Sequence, residues 1–195
     1  AGTVTVEGSQ TTTGLQFIAD GYVLAAGNAG ALNLLDSSAG YTGVRVGSGN
    51  TATVNVNLNG SGTLNKLEAG TLVLNGNNSY SGGTRLNGGT LVLGSNSALG
   101  SGTLTATNAS VLDSNRAVTL GNAVLLDGGL LIGGSNALGL TGTISGSGAL
   151  AKNGAANLTL GGNNSYSGGT VLNAGSLTLG HNAALGSGAL SVLGN

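Results

Sequence analysis

Residues 58–104 read LNGSGTLNKLEAGTLVLNGNNSYSGGTRLNGGTLVLGSNSALGSGTL, and residues 144–190 repeat the block as ISGSGALAKNGAANLTLGGNNSYSGGTVLNAGSLTLGHNAALGSGAL. The two copies lie 86 residues apart and align without a gap, with 30 of 47 positions identical. The shared residues are mostly Gly, Asn, Ser and Leu, with one Tyr, and these types build turns and cores rather than reactive sites. A long internal repeat is typical of stacked architectures, so the block predicts a structural role.

A shorter spacing divides the block. The stretch TLVL at positions 71–74 recurs at positions 90–93, and LTL at 158–160 recurs at 177–179. A spacing of about 20 residues is that of one coil of a parallel β-helix. The 86-residue period then holds about four coils, and residues 1–195 form one continuous β-helix of about nine coils. At about 4.8 Å between neighbouring strands, the chain is a rod about 40 Å long.

The rest of the chain favours the same all-β class, a β-solenoid. Short runs alternate apolar with small or polar residues, as in residues 54–58, and Gly, Asn or Ser clusters bound them. No segment keeps a helical i, i+3, i+4 pattern, so we expect no substantial helix. Asn-Gly pairs at 59–60, 75–76, 87–88 and 153–154 can also close two-residue hairpins, which is the alternative β architecture. In parallel stacks, Asn side chains are expected to form ladders that satisfy polar groups along the axis.

The most distinctive motif is NNSYSGG, which occurs once in each block. We interpret it as a structural turn, because Asn tolerates left-handed backbone and caps its own turn, while paired Gly supplies positive φ. Tyr is expected to cover the corner and to place its hydroxyl on a backbone carbonyl. A Tyr on an Asn-rich loop can alternatively contact sugar, but repetition of the whole motif favours the structural interpretation. The motif residues are Asn77, Asn78, Tyr80, Gly82, Gly83, Asn163, Asn164, Tyr166, Gly168 and Gly169.

Composition excludes several classes of protein. The chain has 40 Gly, no Pro and 39% hydrophobic residues, so it is neither collagen-like nor a disordered linker. No apolar run approaches the ~18 residues of a membrane helix, so we expect no membrane insertion by this segment. The net charge is −1, and the five scattered cations give no footprint for nucleic acid. Those cations are Arg45, Lys66, Arg85, Arg116 and Lys152.

The sequence predicts no catalytic, cofactor or metal site, and hence no enzyme. Cys is absent, which removes disulfides and thiolate metal sites. The single histidine, His181, replaces Ser95 of the first copy and is interpreted as a solvated turn residue. Less than one coil separates Asp113 from Asp127, so they are not expected to stack as the paired carboxylates of a glycosidase. The full carboxylate set is Glu7, Asp20, Asp36, Glu68, Asp113 and Asp127.

Residues 145–190 resemble the passenger-associated β-helix repeat of bacterial autotransporters. The copy at 62–104 matches as well, with Leu67-Glu68 in place of the usual Gly. The resemblance implies a right-handed parallel β-helix that is exported and displayed outside the cell. Members of the family differ in what their passengers do, so the resemblance implies architecture and location rather than activity.

These observations leave three functional hypotheses. The favoured one is a non-catalytic stalk or adhesin segment of a surface-displayed passenger, extracellular or at the bacterial surface, which contacts surface glycans or other cells. The alternative is a self-assembling extracellular filament. Residues 4–6 and 189–193 look like strands without polar caps, so copies are expected to stack end to end, or to associate laterally, through open edges. The third is a polysaccharide-active enzyme, which the carboxylate search disfavours. The chain begins at Ala1, which fits either a removed signal peptide or an excised segment.

Overall fold

A computed structural model describes residues 1–194 as a chain of 24 short β-strands. Among these residues no helix is long and apolar enough to cross a membrane. In chain order the strands are β1 (Thr3–Val6), β2 (Ser9–Thr12), β3 (Gly14–Phe17), β4 (Tyr22–Ala26), β5 (Ala31–Leu34), β6 (Thr42–Val46), β7 (Thr51–Val54), β8 (Asn57–Gly60), β9 (Leu64–Leu67), β10 (Thr71–Leu74), β11 (Thr84–Asn87), β12 (Thr90–Leu93), β13 (Leu104–Ala106), β14 (Ser110–Ser114), β15 (Val118–Leu120), β16 (Val124–Leu126), β17 (Leu130–Ile132), β18 (Leu138–Leu140), β19 (Ile144–Gly146), β20 (Leu150–Lys152), β21 (Asn157–Leu160), β22 (Thr170–Leu172), β23 (Ser176–Leu179) and β24 (Leu190–Val192).

Successive strands visit three faces in a fixed order. Face one is a ten-stranded sheet, β1-β4-β7-β10-β12-β14-β17-β20-β22-β24. Face two follows face one in each coil and is divided into two sheets. The lower sheet, nearer the N-terminus, is β2-β5-β8, and the upper sheet, nearer the C-terminus, is β15-β18-β21-β23. Face three is the seven-stranded sheet β3-β6-β9-β11-β13-β16-β19, after which the chain returns to face one.

The β-solenoid prediction is confirmed. Every strand pairing described within residues 1–194 is parallel, so the Asn-Gly pairs do not close hairpins. Face one contains ten strands, so the chain makes about ten coils, one more than expected. With about 4.8 Å between neighbours, its first and last strands are about 43 Å apart.

The 86-residue repeat does not correspond to a whole number of coils. Position 71 stacks through 90, 111 and 131 onto 151, so four coils end before the repeat does. The rest of the period carries the chain from one face to the next. The first copy therefore has β10 on face one, whereas its counterpart β21 lies on face two. The same block therefore folds in two positions around the axis that are one face apart.

The interior consists of columns of aliphatic side chains. Along face one, each apolar residue that points inward stacks on its register partner in the next coil, and its neighbours in the strand point outward. Full burial of such a side chain contributes about 1.5–3 kcal/mol. The buried apolar residues form a single cluster. One column contains Ala52, Leu72, Leu91, Leu112 and Ile132, each at most 1% exposed.

Candidate functional site: the buried polar corners

Each copy of the NNSYSGG motif occupies a corner where a sheet is interrupted or ends. The first corner, residues 76–84, follows β10, ends on the first residue of β11 and takes the place of a face-two strand. The second corner, residues 162–170, follows β21, ends on the first residue of β22 and takes the place of a face-three strand. At both corners the chain must satisfy the backbone groups of the coils below and above without a regular ladder.

A buried asparagine bridges three coils at each corner. Asn78 is 5% exposed; its Oδ1 accepts from Leu58 N at 2.8 Å in the coil below, and its Nδ2 donates to Ala98 O at 2.6 Å in the coil above. Asn164 repeats the arrangement, accepting from Ile144 N at 2.8 Å and donating to Ala184 O at 2.7 Å. Each side-chain amide thus supplies the donor and the acceptor that a strand's peptide group supplies elsewhere.

The glycines, and not the asparagines, carry the unusual backbone of the corners. Among residues 1–194 the non-glycine residues with positive φ are Ala29 and Glu68, so the motif asparagines do not use the left-handed backbone that Asn tolerates. Positive φ occurs at Gly83, with φ of +89°, and at the equivalent Gly169. Gly82 is needed for close approach, since a Cβ there would lie 2.5 Å from Ser61 O.

The two motif tyrosines lie inside the rod. Tyr80 and Tyr166 are both 0% exposed, which leaves neither ring available to a sugar. The hydroxyl of Tyr80 hydrogen bonds to Thr84 Oγ1 at 2.6 Å, and Tyr166 bonds to Thr170 Oγ1 at 2.5 Å. The prediction of a backbone carbonyl partner is therefore wrong. Burial raises the pKa of both phenols, and the threonine hydrogen bonds oppose that shift only in part.

Two buried lysines stand in the aliphatic columns. Lys66 is 0% exposed and stacks between Val44 and Leu86 on face three. Its Nζ donates to Glu68 O at 2.8 Å, and also to the Leu67 and Gly88 carbonyls at 3.0 and 3.3 Å. Lys152 is equally buried in the second copy and donates to the carbonyls of residues 154 and 174. Each lysine ties the turn that follows its own strand to the next coil.

Desolvation by burial lowers the pKa of Lys66 to about 8, although the nearby Glu68 carboxylate opposes this shift. Burial lowers the pKa of Lys152 as well, against the opposing charge of Asp113. In the sequence both lysines belong to the five scattered cations, and their shared role was not predicted. The available signal was their alignment, because positions 66 and 152 are equivalent in the two copies and few charges are common to both.

The Lys66 environment predicts a pH-dependent stability. Between pH 8 and about 10.4 the unfolded chain keeps a lysine proton that the folded chain has released, so the free energy of unfolding rises with pH. Urea denaturation at pH 7, 8, 9 and 9.5 measures this rise. Lys66→Met is expected to reduce the slope of the unfolding free energy against pH, leaving the part due to Lys152. Arg85→Met, which removes an exposed cation, is the control and should keep the wild-type slope. A free energy of unfolding that stays constant or falls with pH in the wild type contradicts the prediction.

Most carboxylates hold neighbouring coils together. Four of them accept a hydrogen bond from a backbone N–H of the next coil, at 2.6–3.0 Å: Glu7 from Asn28, Asp20 from Thr51, Asp36 from Thr63, and Asp113 from Ser135. Glu68 forms a 3.4 Å ion pair with Arg45 on the surface. Asp113 lies on face one, and Asp127 is an exposed residue that follows β16 on face three, so the two do not meet.

His181 is an exposed turn residue. Its Nδ1 accepts from Ala183 N at 3.0 Å. In the first copy the Ser95 hydroxyl accepts from Ser97 N at 3.1 Å, so imidazole replaces hydroxyl as the acceptor of the same turn. Within residues 1–194 no group of three or more His, Cys, Asp or Glu side chains is placed to hold a metal ion.

Exposed asparagines form the ladders that parallel stacking predicts, on the surface instead of in the core. Asn75 Nδ2 donates to Asn55 Oδ1 at 2.8 Å, and Asn115 Nδ2 donates to Asn75 Oδ1 at 2.9 Å. The second bond passes over Gly94, where a Cβ would lie 2.1 Å from the Asn75 oxygen. Glycine at this position therefore lets the ladder skip one coil.

Comparison with known proteins gives two matches. Residues 64–93 and 150–179 match the family model described as passenger-associated-transport-repeat. The chain is 42% identical over 93 residues to the adhesin BmaC autotransporter of Brucella suis biovar 1 (strain 1330). That alignment covers 43% of this chain and 3% of the relative, so the chain spans only a small part of the relative's length. No solved structure gives a significant match. Each matched repeat runs from one buried lysine strand through a corner to the second strand after it.

Proposed function

We propose that the chain is a non-catalytic stalk segment of a surface-displayed passenger. The two matches to the passenger-associated-transport-repeat and the similarity to an autotransporter adhesin indicate an exported or surface-exposed protein, which supports this proposal. The observation that supports this most directly is the unbroken parallel ladder of face one, which runs through all ten coils. A rod of stacked coils holds what lies beyond it at a fixed distance, because each coil adds about 4.8 Å. The matched relative is named an adhesin, which supports adhesive contact with surfaces or cells as the role of the passenger.

If the chain is a stalk, the number of its coils sets the distance between the membrane and a group attached to its far end. Removal of residues 111–150 takes out two coils in register, since positions 111, 131 and 151 stack. A tag joined to the far end of the surface-displayed chain is expected to move about 10 Å closer to the membrane. Energy transfer from a membrane dye to the tag measures this change. Duplication of the same segment is the matched control and should move the tag the other way.

Circular dichroism separates a misfolded deletion from a failed proposal. If both variants keep the strand signal and the transfer efficiency does not change with coil number, the stalk role is wrong.

Self-association is a second candidate function for this segment. The first and last coils expose apolar side chains, including Val4 at 50% and Val192 at 61%, on open strand edges that a further coil would cover. The end coil of a second copy of the chain can cover such an edge. Association predicts a sedimentation coefficient that rises with protein concentration, and a constant value contradicts it.

A further inference from the structure

The second coil carries a loop on the side of the rod that the first and third coils lack. Residues 35–41 connect β5 on face two to β6 on face three. In the coil below, a single residue makes this connection between β2 and β3, and in the coil above three residues connect β8 to β9. The extra residues therefore project from the side of the rod.

Hydrogen bonds hold the loop in one shape. Ser37 N and Oγ both donate to Tyr41 O, at 3.1 and 2.8 Å, and Gly40 N donates to Ser37 O at 2.9 Å. At its base, Thr42 Oγ1 donates to Leu35 O at 2.9 Å. A bond from the coil above fixes the loop from outside, as Asp36 Oδ1 accepts from residue 63 N at 2.6 Å. The loop is thus pre-organised, which lowers the entropy lost on binding a ligand.

A groove of about 390 Å³ lies between this loop and face three. Its size falls within the range of small-molecule pockets. The floor is formed by Gly14 and Gly43, which are register partners on β3 and β6 and add no side chain. A Cβ at Gly43 would lie 3.5 Å from the Tyr41 ring, so the ring stands directly beside the bare floor. Gln16, Ser37 and Arg45 supply polar groups around it.

An unpaired acceptor lies in the same column as the floor. Asn65 is the register partner of Gly43 in the next coil, and it alternates with the inward-facing Leu64 and Lys66. It is nevertheless only 5% exposed, and its Oδ1 has no hydrogen-bond partner in the described part of the chain. A buried acceptor without a donor is unfavourable, but Asn65 does not itself line the groove, so its oxygen is not counted among the contacts to a ligand.

We propose that this groove binds a neutral oligosaccharide built of pyranose sugars. The apolar C–H face of a sugar ring packs on the face of Tyr41, whose quadrupole is negative there, and the sugar hydroxyls bond to Arg45, Gln16 and Ser37. The ligand is neutral because Glu68 already balances the charge of Arg45 at 3.4 Å. An added peptide strand fits less well, since β6 and β9 are paired on both sides, and such a strand would have to join the outer edge of β3, opposite β6. The proposal rests on the surface-exposed role above and names the class of ligand.

The test uses the purified 195-residue chain and four disaccharides: lactose, maltose, cellobiose and diacetylchitobiose. Saturation-transfer NMR detects binding, and amide shifts of a ¹⁵N-labelled sample locate it. At least one disaccharide is expected to bind and to shift the amides of Gly14 and Gly43. Tyr41→Ala is expected to weaken that binding about tenfold, the equivalent of one good aromatic contact.

Two further variants distinguish stacking from general damage. Tyr41→Phe keeps the ring and is expected to retain binding within about twofold, because stacking needs no hydroxyl. Gly43→Val fills the floor and is expected to abolish binding. Tyr22→Ala removes an exposed ring outside the groove and should change nothing. If none of the four sugars binds, or if Tyr41→Ala and Gly43→Val bind like the wild type, the proposal is overturned. Neither result alters the stalk proposal, which energy transfer on the cell surface tests separately.

Discussion

Truncation of Tyr80 to alanine is expected to lower the free energy of unfolding by about 3–5 kcal/mol, the effect of removing a large buried aromatic side chain. The ring is fully buried beneath the next coil, where a Cβ at Gly100 would lie 3.2 Å from Tyr80 Cγ. Stacked backbone cannot collapse into the space left behind, because the ladders on the other faces fix the distance between coils. The midpoint of urea denaturation, followed by circular dichroism, measures the loss.

Tyr80→Phe separates packing from hydrogen bonding. It keeps the ring but leaves the Thr84 hydroxyl without its partner, so we expect a loss of about 1–2 kcal/mol. Tyr22→Ala, at a ring that is 37% exposed, is the matched control and should lower stability by less than Tyr80→Ala. Equal effects of the Phe and Ala variants would show that the hydroxyl, and not the buried volume, supports the corner.

Replacement of Asn78 by alanine is expected to destabilise the rod by about 2–4 kcal/mol, because it leaves two buried backbone groups unpaired. Those groups are Leu58 N and Ala98 O, in the coils on either side. Asn78→Asp is expected to be at least as harmful, since a carboxylate cannot donate to Ala98 O and would be buried as a charge. Urea denaturation again measures the effect.

The neighbouring Asn77 is the natural control. It is exposed, and its side chain bonds to Ser95 Oγ at 2.8 Å at the surface. Asn77→Ala is therefore expected to lower stability by no more than about 1 kcal/mol. The equivalent change Asn164→Ala should match Asn78→Ala, and the effects of the two should add because the corners are several coils apart. A loss at Asn77 as large as that at Asn78 would contradict the bridging role.

The coil architecture could be predicted from sequence because it depends on local regularities. Alternation in segments such as 71–74 indicates strands, and the return of the same stretch at 90–93 indicates coils. The register could not be predicted, because coil length varies: position 14 pairs with 43, which pairs with 65. These intervals are set by loops such as 35–41, whose length carries no periodic signal.

The candidate sites depended on contacts between distant residues. The NNSYSGG pattern marks the corners, yet the role of Asn78 requires knowing that residues 58 and 98 lie directly below and above it. Likewise, alternation places Lys66 on the inward side of its strand, but only the turn carbonyls explain how an ammonium group is tolerated there. The groove beside Tyr41 forms between a loop and a sheet, so no single stretch of sequence contains it.

The advance of the repeat by one face also sets the direction in which each further unit would point. Duplication of an 86-residue unit adds four coils and also turns the new unit by about a third of a revolution, so corners at 76–84 and 162–170 point in different directions. A third unit would place its corner on the remaining face, and a fourth would face the same way as the first. A rod lengthened in this manner would therefore distribute its corners evenly around the axis, with no face that all the units share.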